Sequence, residues 1–235
     1  MSRKNPPAPA ATESAATDKL SWQEVVEGLQ LDIIYGRLQP REHLVEDELM
    51  RRFGVSRYAI RRALEELQTL GLASRTENRG TRIRSYSPQE VFDLYDVREI
   101  LETGAALRIP MPVAAELIDK LVRIQKLHDS AARKGDLYQI HLLNDEFHST
   151  LFGASPNVML SDVIASYLLQ VQPVRMRFSH EESRRKQACE DHWEMIDALK
   201  AGDNKLLAKV CGRHLSHSKE AYAKSNAAAI RDTLR

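Results

Sequence analysis

The 235 residues predict a mainly α protein: an N-terminal unit of three helices and a small β-hairpin, followed by an all-α antiparallel helical bundle. Two observations carry this expectation. Three apolar stripes at helical spacing precede two short strand-like runs within the first 85 residues, and from Ser87 onward the periodicity is helical with almost no strand signal. The length agrees, because a boundary after the hairpin leaves about 150 residues, a comfortable second domain.

Ser21 and Glu24 form a capping box, with Leu20 and Val25 placed as its hydrophobic staple, and Trp22, Val25, Val26, Leu29 and Ile33 line one face of the helix they open. Gly36 ends it. After Leu38, Gln39 and Pro40, a second helix is expected over Glu46 to Phe53, with Leu49 and Phe53 inward and Arg51 and Arg52 outward. Gly54 supplies the free backbone of a sharp turn, and Ser56 caps a third helix starting at Arg57. Its buried stripe is Ile60, Ala63, Leu64 and Leu67, while Arg57 and Arg61, four apart, share the other side. Gly71 closes it, and Leu72 to Thr76 and Thr81 to Arg84 read as two strands joined by Glu77, Asn78, Arg79 and Gly80. This is the pattern of a winged helix-turn-helix. Further on, Ser87, Pro88 and Glu90 start a helix whose apolar stripe is Phe92, Tyr95, Ile100 and Leu101, ending at Pro110, Met111 and Pro112. Five more helices are expected at about 113–133, 136–152, 157–178, 183–200 and 204–224.

A net charge of +1 argues by itself against a nucleic-acid partner, but charge is segregated. Residues 20–50 hold two Arg against seven Asp and Glu, whereas residues 51–84 hold nine Arg against three Glu, a local balance of +6. A basic face on a nearly neutral chain fits specific binding to double-stranded DNA. Arg51, Arg52 and Arg82 are candidates for phosphate, Arg57 and Arg61 for guanine edges, and Arg79 and Gly80 at the wing tip for the minor groove. Ser56, Tyr58 and Arg62 complete the candidate face; a solvated basic helix is the competing reading.

No apolar run approaches the roughly 20 residues needed to span a bilayer, so a soluble, cytoplasmic protein is expected. Residues 1–18, rich in Ala, Pro, Ser and Thr, read as a disordered arm, and 227–235 as a flexible tail around domains at 19–85 and 86–226. Cys189 and Cys211 lie in expected helices without CxxC spacing, which indicates neither a disulfide nor a thiolate metal site.

Of eight histidines, three stand apart. His148 lies one turn after Asn144, and His192 and His214 fall on two helices that a hairpin at Gly202 and Asp203 would bring face to face. Three imidazoles and an oxygen donor suit a divalent transition metal, zinc first, with nickel or manganese as alternatives. Hydrogen-bonded core histidines are the competing reading, and His128, His141, His180 and His217 are treated as ordinary. Arg98 either faces a ligand or pairs with Glu102 one turn away.

These residues carry a resemblance. The run Ser56-Arg57-Tyr58-Ala59-Ile60-Arg61-Arg62-Ala63-Leu64 resembles the Ser-Arg-Thr-Pro-Val-Arg-Glu-Ala-Leu stretch of the GntR family of bacterial transcription regulators, with Tyr58, Ala59 and Arg62 as departures. The second unit resembles the all-helical FCD effector domain of FadR-type members through Val97 to Glu102, Asn144 to His148, Ser155-Pro156-Asn157, His192, Gly202-Asp203 and His214-Leu215. The resemblance implies DNA contacts by Arg57 and Arg61, a wing glycine at Gly80, metal ligation by Asn144, His148, His192 and His214, and an effector pocket that these four share with Arg98. Asp145 is the competing oxygen ligand, set aside because its offset of three residues from His148 points it elsewhere. The expected protein is a homodimeric repressor of an inverted-repeat operator, released by a small organic acid; a sugar, hydroxy or aromatic acid fits a metal plus a guanidinium. An open metal position also fits water activation, but no Asp or Glu stands as a general base, so no catalytic residue is assigned and no enzyme activity is expected.

Overall fold

A computed structural model describes residues 20–76, 80–176 and 179–225. The N-terminal unit contains α1 (Trp22–Ile34), β1 (His43–Leu44), α2 (Glu46–Phe53), α3 (Arg57–Thr69), β2 (Ala73–Thr76) and β3 (Gly80–Ile83). The capping box forms at Ser21 and Glu24, and the Ser56 hydroxyl accepts the Ala59 amide at 3.3 Å. Gly54 ends α2 at φ 67°, a left-handed conformation that side chains disfavour, so the chain turns sharply into α3. Val25, Leu29, Ile60, Ala63 and Leu67 are fully buried where α1 and α3 pack together. The arginines of α3 are left outside.

The sheet differs from the expected hairpin. It has three strands in the order β1-β3-β2, all antiparallel, with His43 opposite Arg82 and Leu44 opposite Thr81 on one side of β3 and Ala73 opposite Ile83 on the other. Two residues are too few to show alternation, which hid β1 from the sequence pattern. Gly80 stands at φ 72°, a left-handed conformation that side chains disfavour, and a Cβ there would meet the His43 imidazole of β1.

The second unit is a bundle of α4 (Pro88–Ala106), α5 (Ala115–Lys134), α6 (Leu137–Phe152), α7 (Val158–Met176), α8 (Glu182–Lys200) and α9 (Asn204–Ser225). α4 packs on α9 and α7, α5 on α6 and α8, α6 on α7, and α8 on α9, around a core that includes Phe147, Leu151, Met195, Ile196 and Leu207. The helices match expectation to within two residues at each end except α4, which ends at Ala106, short of the proline break. The buried face of α4 matches only in part: Tyr95 is buried and Phe92 and Leu101 pack against the cores, but Ile100 does not. That face runs through Val91, Tyr95, Arg98, Glu102 and Ala105, and Ile100 is 72% exposed. Arg98 and Glu102 occupy core positions as a buried ion pair at 2.8 Å, so the true stripe carried charges where apolar residues were sought.

α7 joins the two units. Leu169 packs against the core of the N-terminal unit, and the Tyr86 hydroxyl, in the connection between domains, lies 3.0 Å from the Gly71 carbonyl and 3.1 Å from Gln170 Oε1. Pro173 sits inside the same helix and has no amide hydrogen for the carbonyl of Leu169. Val174 belongs to a small separate cluster with Val91, Tyr95, Leu215 and Tyr222, and a cavity of about 450 Å³ opens between the units beside it. Among the described residues no helix is long and apolar enough to cross a membrane.

Candidate functional site

The first turns of α3 present Arg57, Tyr58 and Arg61 to solvent, Tyr58 with 77% of its surface exposed. Neither arginine is unpartnered. Arg57 Nη2 donates to Asp47 Oδ1 at 2.6 Å, and Arg61 Nε lies 3.1 Å from both Glu46 oxygens, so the acidic first turn of α2 faces the basic first turn of α3. An anion at these guanidinium groups competes with a carboxylate for one edge and finds the remaining N–H donors exposed. Arg51 is exposed and donates to the Asp47 carbonyl, Arg82 is exposed on β3 and donates to the Arg41 carbonyl, and Arg62 stacks over Trp22 at 5.3 Å. Ser56 serves as the cap of α3. Arg52 is placed differently from its neighbour: with Arg37 it pairs with Asp32, a buried carboxylate on α1, and so ties α2 to α1. Arg79 lies outside the described residues.

In the bundle, α6, α8 and α9 bring His148, His192 and His214 together, with ring centroids 5.1 to 5.2 Å apart in all three pairs. Their orientation is set from behind. His192 Nδ1 is 2.8 Å from Gln125 Oε1, and His214 Nδ1 is 3.1 Å from Asp191 Oδ2. With Nδ1 engaged, Nε2 is the nitrogen each ring offers to the cluster, the arrangement by which an outer partner orients a metal-binding imidazole. His192 Nε2 and both nitrogens of His148 are buried without a hydrogen-bond partner. Unpaired buried nitrogens are costly, and one from each of the facing His148 and His192 rings suits a shared cation, whereas such an ion leaves the second His148 nitrogen without a partner. Burial, reinforced by the neighbouring imidazoles, pushes His148 and His192 well below the ordinary histidine range, which leaves their lone pairs available. Asp191 is fully buried; burial favours its neutral form, but hydrogen bonds from His214, His217 and Arg213 prevail and hold it at about 2.

Asn144, buried one turn before His148, lines a small cavity of about 80 Å³ together with His214 and Arg175. Asp145 is committed elsewhere: it accepts from Gln172 and from Arg175 Nη2 at 3.2 Å and lies 3.7 Å from His141 Nδ1. Arg98 does not line this cavity, since its guanidinium is held by Glu102. Arg175 does line it. Two contributors escaped sequence reasoning. Gln125 and Asp191 come from helices whose facing is set by packing, and no local spacing marks them; of the histidines treated as ordinary, His217 lies 3.1 Å from Asp191 Oδ2 and His128 stands 5.1 Å from His192.

Comparison with known proteins agrees with both halves. Residues 22–83 match the model of bacterial regulatory proteins of the gntR family, and residues 93–217 match the FCD domain. The chain is 24% identical over 216 residues to a probable D-xylose utilization operon transcriptional repressor of Paenarthrobacter nicotinovorans, covering 92% of this chain and 95% of that one. It is 26% identical to the gluconate operon transcriptional repressor of Bacillus licheniformis, covering 77% and 76%. The solved structure of E. coli McbR/YncC shares the fold, with a TM-score of 0.77 at 18% identity over 87% of this chain and 97% of that one. The recognition helix and the histidine bundle therefore belong to one protein type: this chain is a member of the GntR family with an FCD domain, a DNA-binding transcriptional regulator.

Proposed function

We propose that the protein is a metabolite-responsive repressor, binding an inverted-repeat operator as a homodimer and releasing it when a small organic carboxylate enters the FCD domain. Arg57 and Arg61 read base edges, Arg51 and Arg82 hold phosphates, and Tyr58, Arg62 and Gly80 line the same surface. Asn144, His148, His192 and His214 hold a divalent transition metal, zinc by preference. The observation that carries the reading is the set of buried, unpaired nitrogens on His148 and His192. A metal held by these side chains would bind a carboxylate oxygen by taking a ligand beyond the four, as ions that accept more than four donors do. Arg175 takes the role first given to Arg98, because it lines the cavity and a guanidinium there can bind the same carboxylate. The cavity's size supports a small ligand. The name of the Bacillus relative, a gluconate operon repressor, agrees with an acid; that of the xylose relative leaves a neutral sugar as the rival.

The test is binding of the full chain to its own upstream intergenic DNA, at fixed salt with random competitor, with and without pooled carboxylates or pooled neutral sugars. A specific complex dissolved by a carboxylate pool is expected. Release by neutral sugars alone removes the carboxylate claim, and lack of sequence preference anywhere in the genome removes the operator claim.

A further inference from the structure

A second group of donors stands beside the three-histidine centre. His128 and Asp129 on α5 and Cys189 on α8 bring an imidazole nitrogen, a carboxylate oxygen and a thiol within 4.8 Å of one another. His128 Nδ1 is 3.5 Å from Cys189 Sγ. Tetrahedral bonds of about 2.3 Å to sulfur and about 2.0 Å to nitrogen place the two ligand atoms roughly 3.6 Å apart, so this pair already has the spacing of two ligands on one ion.

We propose that His128, Asp129 and Cys189 form a second metal site, for a thiophilic divalent ion such as zinc, separate from the His148, His192 and His214 centre. One thiolate and one carboxylate neutralise a dication, with the thiol proton passing to solvent on coordination. The carboxylate is aimed from outside the site: Gln125 Nε2 donates to Asp129 Oδ1 at 2.6 Å and Trp193 Nε1 to Oδ2 at 2.9 Å. Gln125 also touches His192, so one side chain orients a ligand of each centre. Cys189 is partly exposed, which gives an ion a way in, whereas Cys211 is buried. Without metal the thiol is protonated, since burial and the adjacent Asp129 push it up to about 12. The absence of CxxC spacing concealed the site, because its ligands come from two helices.

The inference does not rest on the effector reading, and cobalt separates the two centres. Reduced, metal-stripped full-length protein is titrated with Co²⁺ and followed by absorbance. Wild type is expected to take two equivalents per chain and to develop the near-ultraviolet sulfur-to-cobalt charge-transfer band that nitrogen and oxygen ligands cannot give. Cys189→Ser should lose that band and one equivalent, Asp129→Asn should weaken the band's appearance without touching either cysteine, and His148→Ala should lose one equivalent but keep the band. Absence of the band in wild type overturns the site, as does its persistence in Cys189→Ser.

Discussion

Tyr35, which caps α1 in the DNA-binding unit, meets His141 of the effector domain edge-on, with ring centroids 6.0 Å apart and planes at 90°. His141 in turn lies 3.7 Å from Asp145, which accepts from Arg175 at the small cavity. On the proposed function, a ligand that engages Arg175 would compete with Asp145 for its guanidinium, and the change would reach the end of α1 through His141. Tyr35→Ala is expected to fold and bind operator while losing roughly 2- to 10-fold of the ligand's effect on affinity, matching about 0.5–1.5 kcal/mol for an aromatic pair. Tyr35→Phe keeps the ring, discards a buried hydroxyl without a partner, and should retain the ligand response with unchanged or higher stability. Operator binding with and without effector distinguishes them; equal ligand response in wild type and Tyr35→Ala sinks the coupling.

Arg57→Ala and Arg61→Ala should each cost about 1–3 kcal/mol, or roughly 5- to 150-fold, on the operator and much less on random DNA. A uniform loss on all sequences would assign them to phosphates instead. Asp47→Asn and Glu46→Gln should tighten binding to every DNA by up to about fivefold, because an exposed ion pair to be displaced is worth about 0.2–1 kcal/mol. Titrations at one salt concentration, on operator and scrambled duplexes, check all four.

His148→Leu carries opposite signs with and without metal. It removes two buried nitrogens without partners, each costing about 1–3 kcal/mol, so the metal-free variant should melt above metal-free wild type. Added zinc should raise the melting temperature of wild type far more than that of the variant. Calorimetry in chelator and in zinc reads both; a variant less stable than wild type in chelator would show that His148 is satisfied without a metal.

Acid should weaken the metal-free fold before its carboxylates titrate. Burial lowers His128 from 6.5 to about 4, so between these values the unfolded chain binds a proton that the folded one refuses. The contribution is fully present above pH 6.5, declines as pH falls, and is lost by about pH 4, amounting to about 3 kcal/mol. His148 and His192, also depressed, add in the same direction. Denaturant midpoints of metal-stripped protein at intervals from pH 7.5 to 4 should fall steadily, and His128→Gln should flatten the curve; a midpoint independent of pH would contradict the assignment.

Most helices were legible because their signals are local: Ser56 caps α3, Ser87 and Glu90 box the start of α4, and Gly135 stops α5 in the left-handed conformation. The three histidines were legible because Asn144 and His148 share a helical face and the Gly202 turn folds α9 back on α8. What escaped depends on contacts between distant segments. β1 acquires meaning only from Arg82 and Thr81 opposite it. On α4 the spacing of Arg98 and Glu102 allowed their pairing, but apolar periodicity cannot reveal that the pair lies inside the core while Ile100 stays outside. Gln125 and Asp191 are ordinary polar residues until α5 and α8 turn them toward His192 and His214.

Pro173 gives α7 a mechanical character of its own. The helix grips the DNA-binding unit through Leu169 and Gln170 and the effector domain through Gln172 and Val174, and the ladder bond that would span those two grips, from residue 173 back to residue 169, is chemically impossible. A rod with one rung missing bends there first. Bending of α7 thus meets least resistance between the residues that touch the two domains, where the helix holds one hydrogen bond fewer.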